Sequence, residues 1–318
     1  MKQNQSVKEP GGPVQISQQS VKHNESANPL LDKCQVVVYY YREVINVQVI
    51  NNKQDLTFLE WSKVRYSSGT AGSFLKATMF EGEKKLYCKL SDYDDIKGVV
   101  GHECINEIIV DRLLDILGVE HLRYRLIHAD VAVSGKVIDT YLCASEDFKK
   151  RGEEKIALEI YYKQEKNENE SPLDFCIRQG WEKYIYEMLA IDFIILNRDR
   201  HGANIEVLRN PKKKTIRLAP LFDHGISLLC RCRSMEEVAK YDVMEDKRVQ
   251  CFVGGNSAMD NLELIPKNKF PVFGKLKLSD KEKVLSGLNE ATDVKLLDKI
   301  WDMIWARWCY YEDFCNKK

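Results

Sequence analysis

From Gln35 to Cys143 the apolar residues of this chain come in short β-favouring runs broken by one helical stretch, and beyond Cys143 they recur at helical spacing. That switch of period constrains the fold more than any other feature, because side chains alternate faces every second residue in a strand but return every third or fourth in a helix. Val36 to Tyr41, Ile45 to Ile50, Leu56 to Val64, Phe74 to Phe80 and Leu86 to Leu90 read as strands of an antiparallel sheet, with Asn51-Asn52 and Glu81-Gly82-Glu83 as its turns. A helix is predicted from about Val100 to Leu117, with Gly118 as its C-terminal cap. Tyr124 to Val133 and Val137 to Cys143 then flank Ser134-Gly135 as a further hairpin.

The remainder reads differently. Trp181 to Leu196 is a strongly apolar helix, and Ala291 to Phe314 carries Leu297, Ile300, Trp301, Ile304, Trp305 and Trp308 on one stripe, the pattern of a core helix. Glu165 to Glu170 is polar and reads as a surface loop. The expected architecture is α+β in two lobes: a flexible tail over residues 1–33, a β-rich N-lobe over 34–143, and a helical C-lobe over 144–318. The lobes would join near Cys143-Ala144-Ser145-Glu146, and clefts between such lobes are where ligands bind.

Composition narrows the function classes. Of 318 residues, 44% are hydrophobic, enough for a sizeable core, and 48 Lys plus Arg balance 48 Asp plus Glu. With no net field, direct nucleic-acid binding is not expected. The first residues lack an apolar signal core and nowhere do about 18 apolar residues run uninterrupted, so no membrane span is expected. A cytoplasmic location follows as the expectation, with secretion lacking a signal peptide left open. Ten cysteines without a secretory signal predict reduced thiols. The close pair Cys230-Arg231-Cys232 lacks zinc-site spacing, so no metal is assigned to cysteine.

Four stretches carry chemistry. Ser67-Ser68-Gly69-Thr70-Ala71-Gly72-Ser73 lies between two predicted strands, and its small residues would let backbone N–H groups approach an anion; it lacks the ending of a Walker-type P-loop. Lys89, in Tyr87-Cys88-Lys89-Leu90, sits in a mostly apolar strand and needs an anionic partner. Glu107, on the predicted helix among Cys104, Val110 and Leu114, is one candidate, and Glu103 one turn earlier is its competitor. A Lys–Glu pair continuing to phosphates would position a nucleotide.

The third stretch, Asn197-Arg198-Asp199-Arg200-His201-Gly202-Ala203-Asn204, follows the apolar helix directly. Phosphoryl transfer needs a carboxylate near the attacking hydroxyl and an oxygen ligand for Mg²⁺, and Asp199 and Asn204 on one loop can supply both. His201 would orient the loop rather than act as a base. Ile205 to Leu208 and Thr215 to Leu218 form a strand pair around Asn210-Pro211-Lys212, its Lys212-Lys213-Lys214 run a solvated tip. The pair leads to Ala219-Pro220-Leu221-Phe222-Asp223-His224-Gly225, where Asp223 is placed as a second metal ligand.

In this order the residues resemble the HipA-like kinases, and within them the compact CtkA-type Ser/Thr protein kinases. The resemblance spans about Trp61 to Leu229 and rests on Ser67 to Ala77, Lys89, Asn106-Glu107 with Gly118-Val119, Asp199-Arg200-His201 with Asn204, and Leu221 to Gly225. It implies a two-lobed protein-kinase-like fold, related also to phosphoinositide kinases, that binds ATP with Mg²⁺ beneath the loop containing Ser68, Gly69, Thr70, Ala71, Gly72 and Ser73. By resemblance Lys89 contacts the phosphates, Glu107 rather than Glu103 pairs with it, Asp199 is the catalytic base, and Asn204 and Asp223 hold the metal. Adenine would meet the backbone at Leu142 to Ala144, around Cys143. The implied reaction is transfer of the γ-phosphate to Ser or Thr of a protein substrate, with autophosphorylation of the loop at Ser67, Ser68, Thr70 or Ser73. A phosphoinositide-type lipid kinase and a nucleotide-binding pseudokinase or scaffold are the alternatives. Ala203 stands where full-length HipA has a Lys, and no extra N-terminal subdomain is evident, which leaves an antitoxin-like partner open.

Overall fold

The computed structural model describes residues 48–62 and 74–317. The predicted tail, the strand Val36 to Tyr41 and the candidate loop Ser67 to Ser73 lie outside the described residues. The N-terminal region is built on a five-stranded sheet of β1 (Val49–Asp55), β2 (Lys76–Glu81), β3 (Lys84–Leu90), β6 (Tyr124–Val133) and β7 (Lys136–Glu146), in the order β1-β6-β7-β3-β2. Two short strands, β4 (Tyr93–Asp94) and β5 (Gly98–Val99), pair with each other and lead into α1 (Glu103–Leu117).

The hairpins form where their turn residues stand. β2 and β3 close at Glu81↔Lys84, and β6 and β7 at Val133↔Lys136. Three details depart from the expected sheet. Asn51-Asn52 is no turn but lies within β1, which runs parallel to β6 with a register irregularity between Ile50 and Gln54. No hairpin joins β1 to β6, so nothing local forces the antiparallel sense, and the irregularity absorbs the poor strand residues. Leu56 to Val64 does not form a strand over its described part: Asp55 accepts hydrogen bonds from the Thr57 amide (3.0 Å) and hydroxyl (2.6 Å). That local turn outcompetes the ladder, and Leu56 and Leu59 reach the sheet core from a loop.

Alternation along the strands sorts the two faces of the sheet. Cys88, Leu90, Ile127, Ala129, Leu142 and Ala144 form one apolar cluster, whereas Leu126 and Cys143 join the core that contains α1. Lys89, between Cys88 and Leu90, therefore faces α1. The helix starts at Glu103 rather than Val100 and ends on Gly118 in the left-handed conformation (φ 72°), where a glycine carries no Cβ penalty. It is buried along nearly its whole length, including Glu103, Asn106, Glu107 and Asp111. Buried polar groups need partners, so this helix is committed to polar contacts as well as packing.

The C-terminal region opens with a strand the sequence did not announce, β8 (Glu154–Ala157). It pairs with β9 (Glu206–Asn210), which pairs with β10 (Thr215–Leu218). The helices are α2 (Leu158–Glu165), α3 (Pro172–Arg178), α4 (Glu182–Ile194), α5 (Met235–Lys240), α6 (Ala258–Glu263), α7 (Lys281–Leu285) and α8 (Val294–Lys317). Residues 166–171 form the expected exposed loop between α2 and α3. The α8 stripe is core, with Leu297, Ile300, Trp301, Ile304 and Trp308 all buried. The buried Arg307 guanidinium donates to the carbonyls of Phe193 (3.1 Å), Val243 (2.9 Å) and Glu245 (2.8 Å), tying α8 to the end of α4. Ile300 is fully buried, so Ile300→Ala is expected to cost about 2–5 kcal/mol, read from urea unfolding. Among the described residues no helix is long and apolar enough to cross a membrane. The cysteines among them are free thiols.

Candidate active site

The sheet, α1 and the two loops after α4 and β10 converge on Lys89. Its ammonium lies 2.6 Å from Asp223 Oδ1 and 3.2 Å from Glu107 Oε1, and its side chain is 11% exposed. Burial alone would lower its pKa, but the Asp223 and Glu107 carboxylates beside it raise it well above the ordinary lysine range. The Phe74 ring lies under the same ammonium, its centroid 4.8 Å away. Glu107 completes its bonding by accepting from the His224 amide at 2.9 Å.

Glu103 is placed elsewhere. One turn along α1, it accepts from the Asp92 amide at 3.0 Å and so holds the approach to the helix, while Lys89 pairs with Glu107. Asn106 on the same helix donates to the carbonyls of Gly225 (2.9 Å) and Ser227 (3.0 Å). At Gly225 the helix comes so near that a Cβ would stand 3.1 Å from the Glu103 Cβ and 3.2 Å from Glu107 Oε1. Only glycine fits there without displacing α1.

Asp223 has φ +57°, a left-handed conformation that costs a non-glycine residue about 1–2 kcal/mol. The surroundings over-determine it, as such a conformation requires. Arg200 Nη1 donates to the Phe222 carbonyl (2.9 Å), the Asp223 amide donates to the Tyr124 hydroxyl (3.2 Å), and the next two peptides are held by Glu107 and Asn106.

On the loop after α4, Asp199 is half-buried, and burial first, then the neighbouring Asp223 charge, raises its pKa from the ordinary aspartate value, against the pull of His201. His201 Nδ1 accepts from the Ala203 amide (3.2 Å) and its Nε2 stands 3.7 Å from Asp199 Oδ2, the orienting place expected of it. Asn204 donates through Nδ2 to the Asp199 carbonyl (2.8 Å). Its Oδ1 is buried without a hydrogen-bond partner among the described residues. A buried amide oxygen left without a partner can serve as a ligand to a hard cation.

One expected contact is corrected. Leu142, Cys143 and Ala144 lie within β7, paired with Leu90, Lys89 and Cys88 on one side and Ile127, Leu126 and Arg125 on the other. A central strand has spent its backbone donors and acceptors on the ladder, so these residues have no backbone group left for adenine. The ladder to β3 ends at Glu146↔Leu86. Asp147 and Phe148 follow it, with Asp147 held by Lys155 (2.7 Å) and Tyr87 (3.2 Å).

Asp192, Asn197, Tyr124 and the side chain of Arg200 join the site without a motif that marks them. Asp192 bonds Arg200 at 2.8 Å and 2.9 Å and accepts from Asn197 Nδ2 at 2.9 Å, and Asn197 Oδ1 accepts from the Asp199 amide at 3.1 Å. One signal was available: Asp192 is a lone charge inside the apolar run Leu189 to Leu196, and a buried charge needs a partner.

No protein-family model matches the sequence, and no curated protein matches it. Among solved structures, the proinflammatory kinase CtkA of Helicobacter pylori superposes with a TM-score of 0.52 at 15% identity, covering 80% of this chain and 94% of that one. HipA of Shewanella oneidensis MR-1, solved with HipB and operator DNA, gives a TM-score of 0.46 at 15% identity over 88% of this chain and 72% of that one. With a β-sheet N-terminal region, a helical C-terminal region and a likeness to CtkA over most of both chains, this protein has a kinase-like fold similar to that of CtkA.

Proposed function

We propose that this protein is an ATP- and Mg²⁺-dependent kinase that transfers the γ-phosphate to a Ser or Thr hydroxyl of a protein. The observation that carries the reading is the convergence of Lys89 on both Glu107 and Asp223, with the Asn204 side-chain oxygen buried and without a hydrogen-bond partner among the described residues. Lys89, held by Glu107, would bind the α- and β-phosphates. Asn204 and Asp223 fit Mg²⁺, being oxygen donors of which one is buried and unsatisfied. Bound there, the ion would neutralise charge on the phosphates. Asp199 would orient the substrate hydroxyl and take its proton as the oxygen bonds to the γ-phosphorus; the bond to the β-phosphate oxygen breaks and ADP leaves. Adenine would lie against the backbone beyond β7, at Asp147 and Phe148. Autophosphorylation of Ser67, Ser68, Thr70 or Ser73 would place phosphate against phosphate and make the kinase self-limiting.

Incubation of the purified protein with γ-labelled ATP and Mg²⁺, together with a cell lysate or separately with lipid vesicles, tests the reading. Label on protein Ser or Thr, some of it on the chain's own loop by mass spectrometry, is the expected result. Label confined to lipid would replace the protein-kinase reading with a lipid-kinase one. ATP binding without label anywhere would make the chain a pseudokinase.

A further inference from the structure

We infer that Arg200 is a positioning residue, setting the spacing between the two metal-binding side chains, Asn204 and Asp223. The inference rests on the phosphoryl-transfer reading of this site and adds to it a residue that touches neither nucleotide nor acceptor. Arg200 is 1% exposed, and all of its bonds go inward. Its Nε and Nη2 form a two-pronged pair with the carboxylate oxygens of Asp192, at 2.8 Å and 2.9 Å. That fork fixes the plane of the guanidinium and leaves Nη1 aimed away from α4.

Nη1 is shared between two carbonyls. It donates to Asn204 at 3.1 Å and to Phe222 at 2.9 Å, and Phe222 is the residue before Asp223. One nitrogen therefore joins the backbone of one metal ligand to the peptide that carries the other, although the ligands are nineteen positions apart in the chain. Asp192 extends the same control to Asp199 through Asn197, whose Oδ1 accepts from the Asp199 amide. Base and both metal ligands are thus referred to one buried carboxylate on rigid α4. A lysine at this position cannot reproduce the arrangement, because an ammonium is a point charge on a flexible stem and cannot hold the fork and both carbonyls in one plane.

The test is R200K, with D192N as second variant, read by the Mg²⁺ concentration that half-saturates ATP binding and phosphoryl transfer. Both variants are expected to raise that concentration by about tenfold or more, the usual consequence of removing a group that orients metal ligands, while binding of ATP measured in EDTA stays within about twofold of wild type. Lost stability alone lowers the active fraction and leaves the Mg²⁺ half-saturation unchanged, so the readout separates positioning from scaffolding. If R200K does not fold, D192N carries the test, since it keeps the guanidinium and weakens its anchor together with the Asn197 contact to the same carboxylate. A folded variant with the wild-type Mg²⁺ requirement overturns the inference and leaves the kinase reading standing. Wild-type protein showing no Mg²⁺-dependent ATP binding overturns both.

Discussion

Asp199→Asn is expected to bind ATP and Mg²⁺ as the wild type does, yet lose phosphoryl transfer by a factor of about 10² to 10⁴, the range for removal of a general base. The amide keeps the size and the hydrogen bonds of the loop but has no lone pair basic enough to take the hydroxyl proton. Asp223→Asn is expected to fail differently, raising the Mg²⁺ requirement because it removes the carboxylate proposed to hold the metal. The two are separated by titrating Mg²⁺ against labelled transfer. With Asp199 as the proposed base, a pH dependence is expected. Burial, with the Asp223 charge beside it, raises the Asp199 pKa, and the base works only when ionised. Transfer should therefore fall as pH drops, with a midpoint above the ordinary aspartate value of 3.8, and that acid limb should be missing from the residual rate of Asp199→Asn. Near-wild-type transfer by folded Asp199→Asn would remove Asp199 from the mechanism.

The second large effect is at Lys89. Lys89→Met should abolish transfer by removing the cation that positions the phosphates, and it should also destabilise the fold. Glu107 has 0% side-chain exposure, so deleting its partner leaves a carboxylate that must either stay charged in an apolar setting or take up a proton. Breaking one partner of such a buried pair costs about 3–5 kcal/mol. Lys89→Met with Glu107→Gln should recover much of that stability and none of the activity, which urea unfolding and labelled transfer read independently. The pH sign follows from the direction of the shift. With the folded-state pKa of Lys89 above its ordinary 10.5, the pair's contribution is complete below that value and fades only as pH rises through the folded-state pKa. Stability near neutrality should be flat with respect to this group, and the loss on the alkaline side should be absent from Lys89→Met. A Lys89→Met protein as stable and active as wild type would place the nucleotide elsewhere.

Much of this was legible in one dimension. Strand and helix periods are local, and so are turn chemistry and capping, which is why the hairpins at Glu81 to Lys84 and Val133 to Lys136, the Gly118 cap and the α8 stripe stand where their residues put them. Lys89, Asp199, Asn204 and Asp223 could be singled out in one dimension too, by their order and spacing along the chain. Which of them touch could not be read there. Lys89 and Asp223 are 134 residues apart, and their meeting depends on the register of β3 against β7 and on the path of the loop after β10. Glu103 and Glu107 share a helix face, so periodicity cannot choose between them; the rise of one turn along α1, about 5.4 Å, decides that Glu107 reaches the ammonium and Glu103 the Asp92 amide. The parallel pairing of β1 and the engagement of Leu142 to Ala144 on both sides are properties of strand neighbours, which a single strand does not encode. Arg200 belongs to the same class. Its neighbours in sequence mark it only as a charge beside Asp199, and the three residues that accept its side-chain hydrogen bonds come from α4, its own loop and the loop after β10. The chain's local chemistry determined the elements and the reactive groups, and tertiary packing alone decided which buried charges neutralise one another, because a charge taken out of water is stabilised by whatever the fold brings within a few ångströms of it.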